Sequence, residues 1–297
     1  MVKIIKSIEG LSSRAITALE QVLRHSRLNW NVILLIATLG TTLWAGYQFS
    51  LPLVEKGLLD NPWQAAVSFS LGLLAILGCH EMGHKLMADN RGIKATFPYF
   101  IPVPFFLGTF GAIIKMKTRP YDRNALFDVG AAGPIAGFIA LIPLTILGVY
   151  WSFPLPTENL QEFMVLPSSL LFDWLSESIA NIPQGSDLLL HPLALAGWVG
   201  MIITTLNLLP VAMLDGGHIS RALFGSKFHR LVSFIGVGIT FLLGYWFFGV
   251  LILLFAMRKH PGPTDDLIPL SKGRKLLSLG LLGILILCAA PIYQSLI

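Results

Sequence analysis

His80-Glu81-Met82-Gly83-His84 is the group of residues with the plainest chemical potential in this chain. Histidines four apart on a helix stand one above the other on the same face. Two imidazoles so placed can grip one zinc ion at about 2.0–2.1 Å each. Glu81, one step round the helix, reaches a water on that ion and can act as general base. The pattern is short and arises by chance in ordinary helices. Its setting sets it apart, because it lies in an apolar run where ionisable groups are costly and mark function. The plain alternative is a satisfied polar cluster without a metal.

A catalytic zinc usually has three protein ligands and one open position. The third ligand is sought at the same depth in another helix. A later apolar run ends in Asn207-Leu208-Leu209-Pro210-Val211-Ala212-Met213-Leu214-Asp215-Gly216-Gly217-His218. One run intervenes between the two, so they point the same way and their polar ends lie at similar depth. On chemistry alone Asp215 and His218 stand about level as the third ligand. Cys79 adjoins His80, points about 100° away around the helix, and is not counted as a ligand.

The elements that must carry these residues are set by composition. The chain has 297 residues, of which 54% are hydrophobic and 12% charged. Soluble domains carry about a quarter charged residues, so a bilayer is the natural solvent. Six apolar stretches near 31–50, 64–88, 125–151, 192–213, 231–257 and 277–294 are long enough to cross it. The expected fold is an all-α polytopic membrane protein, with residues 31–297 forming one six-span domain. Residues 1–30 lack the apolar run of a removable signal peptide. Ile4, Ile8, Leu11, Ala15, Leu19 and Val22 instead recur at helical steps among Lys3, Lys6, Arg14 and Arg24. That pattern suits an amphipathic helix on an anionic membrane surface, or, more plainly, a solvated helix. Cys79 and Cys288 are expected as reduced, packed thiols. The net charge of +5 favours acidic lipid head groups, and nothing points to nucleic acid.

Lys and Arg concentrate in cytoplasmic loops. With six crossings, fifteen of the 21 fall on the side of the N-terminus, so both termini and the polar ends of the two motif-bearing runs are expected in the cytoplasm. The external loop 152–191 has no Lys or Arg and carries Glu158, Glu162, Asp173, Glu177 and Asp187. A short external helix is expected around Asn159–Ala180, interrupted at Pro167. The segment after the fifth run breaks the charge pattern with Arg258, Lys259, Lys272, Arg274 and Lys275.

Together, His80-Glu81-Met82-Gly83-His84 and Asn207 through Asp215-Gly216-Gly217 resemble the two signatures of the site-2 protease family, the intramembrane zinc metalloproteases of peptidase family M50. Gly108-Thr109-Phe110-Gly111-Ala112-Ile113-Ile114-Lys115-Met116 is similar to the family's membrane-associated β-hairpin, and Ala132-Gly133-Pro134-Ile135-Ala136-Gly137 to its small-residue helix. Pro98-Tyr99-Phe100-Ile101-Pro102 is most like the cyanobacterial and chloroplast branch and archaeal members. The resemblance covers roughly residues 64–275. It implies a six-span protease that cuts transmembrane helices of regulatory proteins, with an upstream site-1-type protease as partner. It implies one zinc ion held by His80, His84 and Asp215, with Glu81 activating water and Asn207 donating to substrate or oxyanion. It also implies an integral, multi-pass location in a prokaryotic or thylakoid-type membrane. The chain departs from the family in having no room for a PDZ domain in a loop, and in Phe110-Gly111-Ala112 where many relatives have paired glycines.

The residues support a hairpin independently. Pro98, Pro102 and Pro104 disfavour a continuous helix over 97–117, yet the segment is too apolar for a free loop. Such backbone survives at membrane depth only when buried in protein or lining a wet cavity. A strand edge beside a metal would also suit an unwound substrate, although a packed re-entrant turn is the simpler reading. Gly133 and Gly137 are expected to pack the third run between the second and fourth. Asp128 is expected as a solvated or capping carboxylate, and Arg258-Lys259-His260 as an interfacial turn. Two other function classes fit less well. A metal or proton transporter also tolerates buried ionisable residues, but repeated halves are not visible. A silent scaffold has no use for Glu81.

Overall fold

The helices begin and end where the local chemistry directs. A computed structural model describes residues 30–157, 166–257 and 260–291. The amphipathic segment expected over 1–30 lies almost wholly outside the described residues. Helix α1 runs Trp30–Glu55 and α2 runs Pro62–Asn90. Asn61 caps α2 by accepting from the Trp63 amide, and Pro62 sits in the first turn, where its missing N–H costs nothing. Gly92, with φ of 67°, turns the chain out of the helix.

Strands β1 (Tyr99–Pro102) and β2 (Thr109–Ile113) then pair antiparallel, Tyr99 opposite Ile113 and Phe100 opposite Ala112, so the segment expected as re-entrant is a β-hairpin. Helix α1 holds it in place. Asn31 donates to the Phe97 and Pro98 carbonyls, and the Thr41 hydroxyl donates to the Gly108 carbonyl. Gly108 has φ of 80°, and a side chain there would run into the α1 backbone at Thr41 and Thr42.

Helix α3 (Arg123–Tyr150) starts at an Asp122 cap and packs between α2 and α5 (Pro192–Leu208), as its small residues predicted. Gly83 of α2 meets Ala132 and Ala136, while Gly148 of α3 meets the α5 backbone at Ala194. The connection between α3 and α5 holds α4 (Leu170–Ile179), inside the external helix expected there, capped by Ser169. It also holds an unforeseen two-stranded sheet, β3 (Phe153–Pro156) with β4 (Ser186–Leu189).

Beyond α5 the expectations need correcting. Residues 215–230 are not a loop. They begin α6 (Asp215–Leu242), which kinks at Gly225 with φ of 71°. The run 231–257 is not one helix. It breaks at Leu243-Gly244-Tyr245, where Gly244 has φ of 84°, and returns as α7 (Trp246–Ala256). Val237 of α6 shares a core with Ile252 and Ala256 of α7, so the two form an antiparallel helical hairpin. Uniform hydrophobicity carries no sign of direction, so the reversal was not visible in the apolar run. Helix α8 (Lys272–Cys288) follows.

The reversal changes which end of the bundle each segment occupies. Thr264 and Asp265 donate backbone bonds to the Pro120 and Tyr121 carbonyls, at the start of α3. Cys288, at the far end of α8, shares a core with Val149, at the far end of α3. The C-terminal end of α8 therefore lies opposite the end where α1 begins; the two chain termini, expected on one side, lie outside the described residues. Among the described residues, three helices, α1, α2 and α3, are long and apolar enough to cross a membrane, and α5 is a shorter apolar helix.

Candidate metal centre

His80 and His84 occupy successive turns of α2 and are buried, as is Glu81. Asp215 reaches them because α5 ends before Pro210 and α6 starts at once on Asp215. Side chains at Gly216 and Gly217 would strike the carbonyls of Leu208, Leu209, Val211 and Ala212, so the paired glycines permit this tight fold-back. Ala212, at φ of 43°, takes up the strain of the turn.

The three side chains converge. His80 Nε2 lies 3.0 Å from Asp215 Oδ2, His84 Nε2 lies 3.2 Å from Asp215 Oδ1, and the two Nε2 atoms are 3.1 Å apart. Donors about 2.0–2.1 Å from a tetrahedral ion stand roughly 3.3–3.4 Å from one another. The observed triangle is within a few tenths of an ångström of that. His84 Nδ1–H donates to the Val129 carbonyl at 2.7 Å, which leaves the Nε2 lone pair facing the triangle in the neutral ring. Two imidazole nitrogens and a carboxylate aimed at one point, in a buried setting, form a donor set that fits a zinc ion.

Two further predicted residues face this point. The backbone of Ile114, just past β2, lies beside the Glu81 carboxylate, which brings the hairpin next to the centre. Asn207 Nδ2 lies 3.4 Å from His80 Nε2. Cys79 is exposed and outside the group.

His218, the rival ligand, points elsewhere. Its Nδ1 is 2.8 Å from Nε2 of His260, whose Nδ1 accepts from the Gly262 amide. His260 was expected in an interfacial turn and is instead buried. Burial pushes its pKa down to about 3, so the ring is neutral. Its Nε2–H then donates to His218. His229 joins this second group, its ring centroid 5.1 Å from that of His260.

Sequence reasoning treated the α3 glycines as packing alone. Gly133 lies against the His84 ring, Gly137 against His80, and Gly130 against His218. Their spacing was the available signal, and it marks where imidazoles are given room. Asp128 is also more than a cap. It accepts from Arg274 of α8 at 2.6 and 2.7 Å and pairs with Arg91, tying α2, α3 and α8 together beside the centre.

The family model for peptidase family M50 matches residues 68–251, which takes in every residue of the triangle. The chain is 32% identical over 232 residues to a probable zinc metalloprotease EGY2, chloroplastic, of Oryza sativa subsp. indica, covering 73% of this chain and 42% of that protein. It is 36% identical over 175 residues to a probable zinc metalloprotease EGY1, chloroplastic, of Arabidopsis thaliana, covering 57% of this chain and 31% of that protein. A probable zinc metallopeptidase EGY3, chloroplastic, of the same plant is 26% identical over 230 residues, covering 70% and 39%. The chain thus spans less than half the length of these relatives. Matched over most of its helical bundle, the chain belongs to peptidase family M50.

Proposed function

We propose that this chain is a zinc metalloendopeptidase that cuts peptide bonds within or beside the transmembrane helices of membrane-anchored regulatory proteins. The observation that carries the reading is the triangle of His80, His84 and Asp215, with side lengths of 3.0–3.2 Å, beside Glu81. His80, His84 and Asp215 would hold the zinc. When bound, the ion polarises the scissile carbonyl and acidifies a water. Glu81 takes the proton from that water and later gives it to the leaving amine. Asn207 donates a hydrogen bond to the developing oxyanion.

A substrate helix hides its amides and must unwind before attack. Pairing the unwound segment with the β1–β2 hairpin would satisfy its backbone, and the Ile114 backbone beside Glu81 brings that hairpin next to the base.

In the bilayer, residues 31–297 form one domain of six embedded elements. Helices α1, α2, α3, α5 and α8 cross, and the α6–α7 hairpin enters from the metal-bearing end. Among the described residues, Lys56 alone of the Lys and Arg lies at the opposite end. By the charge rule the metal-bearing end faces the cytoplasm or its equivalent. The relatives' names place them in chloroplasts, and a thylakoid-type or prokaryotic multi-pass membrane suits this chain. An upstream site-1-type protease would supply the trimmed substrate.

The test uses purified full chain, zinc counted by mass spectrometry, and a transmembrane reporter substrate. Wild type should hold one zinc, and His80→Ala close to none. Glu81→Gln should keep its zinc while cleavage falls about 10²–10⁴-fold. Undiminished cleavage by Glu81→Gln, or by zinc-stripped wild type, would overturn the reading.

A further inference from the structure

Beside the second histidine group, α6, α7 and the loop before α8 enclose a cavity of about 280 Å³. It is lined by Arg221, Ser226, His229, Arg230, Ser233, Ala256, Met257 and His260, with no acidic side chain among these. The volume is several times the roughly 30 Å³ of one water. Arg221, His229, Ser233 and His260 are all more than nine-tenths buried.

The charge around this cavity does not cancel. Asp266 accepts from both Arg221, at 2.7 and 3.0 Å, and Arg123, at 2.8 Å. Two guanidiniums on one carboxylate leave one positive charge over. Arg230 adds another and, among the described residues, has no ion pair; it lies 6.0 Å from the Phe234 ring. Arg221 is buried in this wall while Arg230 and Ser226 stand at its exposed mouth, so the surplus positive charge faces an opening that an anion can enter and offset.

The donor inventory favours a phosphate over a metal. His260 Nε2–H is directed at His218. The Ser220 hydroxyl donates to the Gly217 carbonyl, so its oxygen accepts from His229 Nδ1–H, and His229 Nε2 faces the Ser233 hydroxyl. No lone pairs converge here as they do at the metal centre. What remains free is mostly donor: the Arg221 N–H groups not used by Asp266 and the Arg230 fork donate only, and the Ser226 hydroxyl can turn its O–H towards an anion.

We propose that this cavity binds the phosphate group of an anionic ligand, held by Arg230, Arg221 and Ser226. The phosphate comes from a phospholipid head group or from a soluble phosphate. Exposed Phe228, Leu231 and Phe234 on the outer face of α6 would take acyl chains if the source is lipid. The site is distinct from the metal centre and does not depend on the proteolytic reading.

The test places the full chain in phosphatidylcholine nanodiscs. Phosphatidylglycerol is titrated in one arm and inorganic phosphate in the other, with chloride at matched ionic strength as control. Thermal unfolding and native mass spectrometry read occupancy. The expected result is saturable binding of one phosphate group per chain. Arg230→Gln, an exposed position that should fold normally, is expected to weaken it about ten- to hundredfold with zinc content unchanged. Ser226→Ala should weaken it less. Binding of phosphatidylglycerol alone assigns the lipid source, and binding of inorganic phosphate assigns the soluble one. Binding of neither, stabilisation by an acidic peptide alone, or affinity indifferent to both Arg230→Gln and Ser226→Ala overturns the proposal.

Discussion

Two groups of buried histidines meet α6 one helical turn apart, the first at Asp215 and the second at His218, and they follow opposite rules. At Asp215 the lone pairs of His80 and His84 converge on a carboxylate, at separations of 3.0–3.2 Å. At His218, each ring nitrogen with an assigned partner meets a hydrogen-bonding group, from the Gly262 amide through His260 to His218. The first arrangement needs a cation to offset converging electron density. The second shows no such convergence. Burial and residue type therefore do not identify a metal centre; the direction of the lone pairs does.

The largest test of this contrast removes one ring from each group. His84→Ala should drop bound zinc from one per chain to near zero and abolish cleavage. His260→Ala should keep zinc, while orphaning the Gly262 amide and His218 Nδ1 at a cost of about 1–3 kcal/mol in stability. Zinc counting with denaturant unfolding separates the two outcomes. Loss of zinc from His260→Ala would merge the groups and end the comparison.

The sequence made the first group legible only in part. His80 and His84 follow from helical spacing, because residues four apart must share a face. Asp215 and His218 could not be ranked by chemistry. What separates them is the fold-back through Pro210 and the paired glycines, which aims Asp215 at α2 and leaves His218 against Gly130 and His260. His260 itself was misread because a Pro- and Gly-flanked segment ordinarily lies on the surface. The α6–α7 reversal was hidden for a different reason. An apolar run states that a segment is buried in lipid or protein, not which way it travels, and one glycine, Gly244, decides the direction. The β3–β4 sheet went unforeseen because Pro154 and Pro156 argue against strands; an isolated pair tolerates them since each strand has a free edge.

A finer test asks what lies around the triangle without ligating. Asn207→Ala should retain zinc and lower kcat by about 10² if its amide meets the oxyanion. A change in KM alone would instead make it a binding contact. Nothing comparable should follow from Ser233→Ala, which touches only the second group and the Ala212 amide.

Gly133 sharpens the comparison from the side of α3. A methyl group at this position would collide with the His84 ring, whereas a methyl at Gly280 of α8 meets nothing within 4 Å. Gly133→Ala should therefore weaken zinc binding about 10–100-fold, as displaced ligand supports do. Gly280→Ala should leave zinc untouched and stabilise slightly, since alanine favours helix by about 1 kcal/mol. Equilibrium competition with a zinc chelator reads both.

The smallest expected effect concerns Asp266, which holds the loop carrying His260 against α6. The Arg221 guanidinium, aided by Arg123, holds this carboxyl below the usual range of an aspartate. A carboxyl whose pKa is lower in the folded state adds stability above its unfolded value, about 3.9, and loses it as pH falls through the folded one. Its side chain is 33% exposed, so solvent screens the pair and the effect should be modest. Wild type should lose melting temperature as pH drops from neutrality towards the unfolded aspartate range and below. Asp266→Asn should start lower at neutral pH and show a shallower decline. Zinc content at neutral pH should stay the same in both, because the loop secures the hydrogen-bonded histidines and not the metal triangle. A parallel fall of zinc and melting temperature in Asp266→Asn would show instead that the two histidine groups stand or fall together.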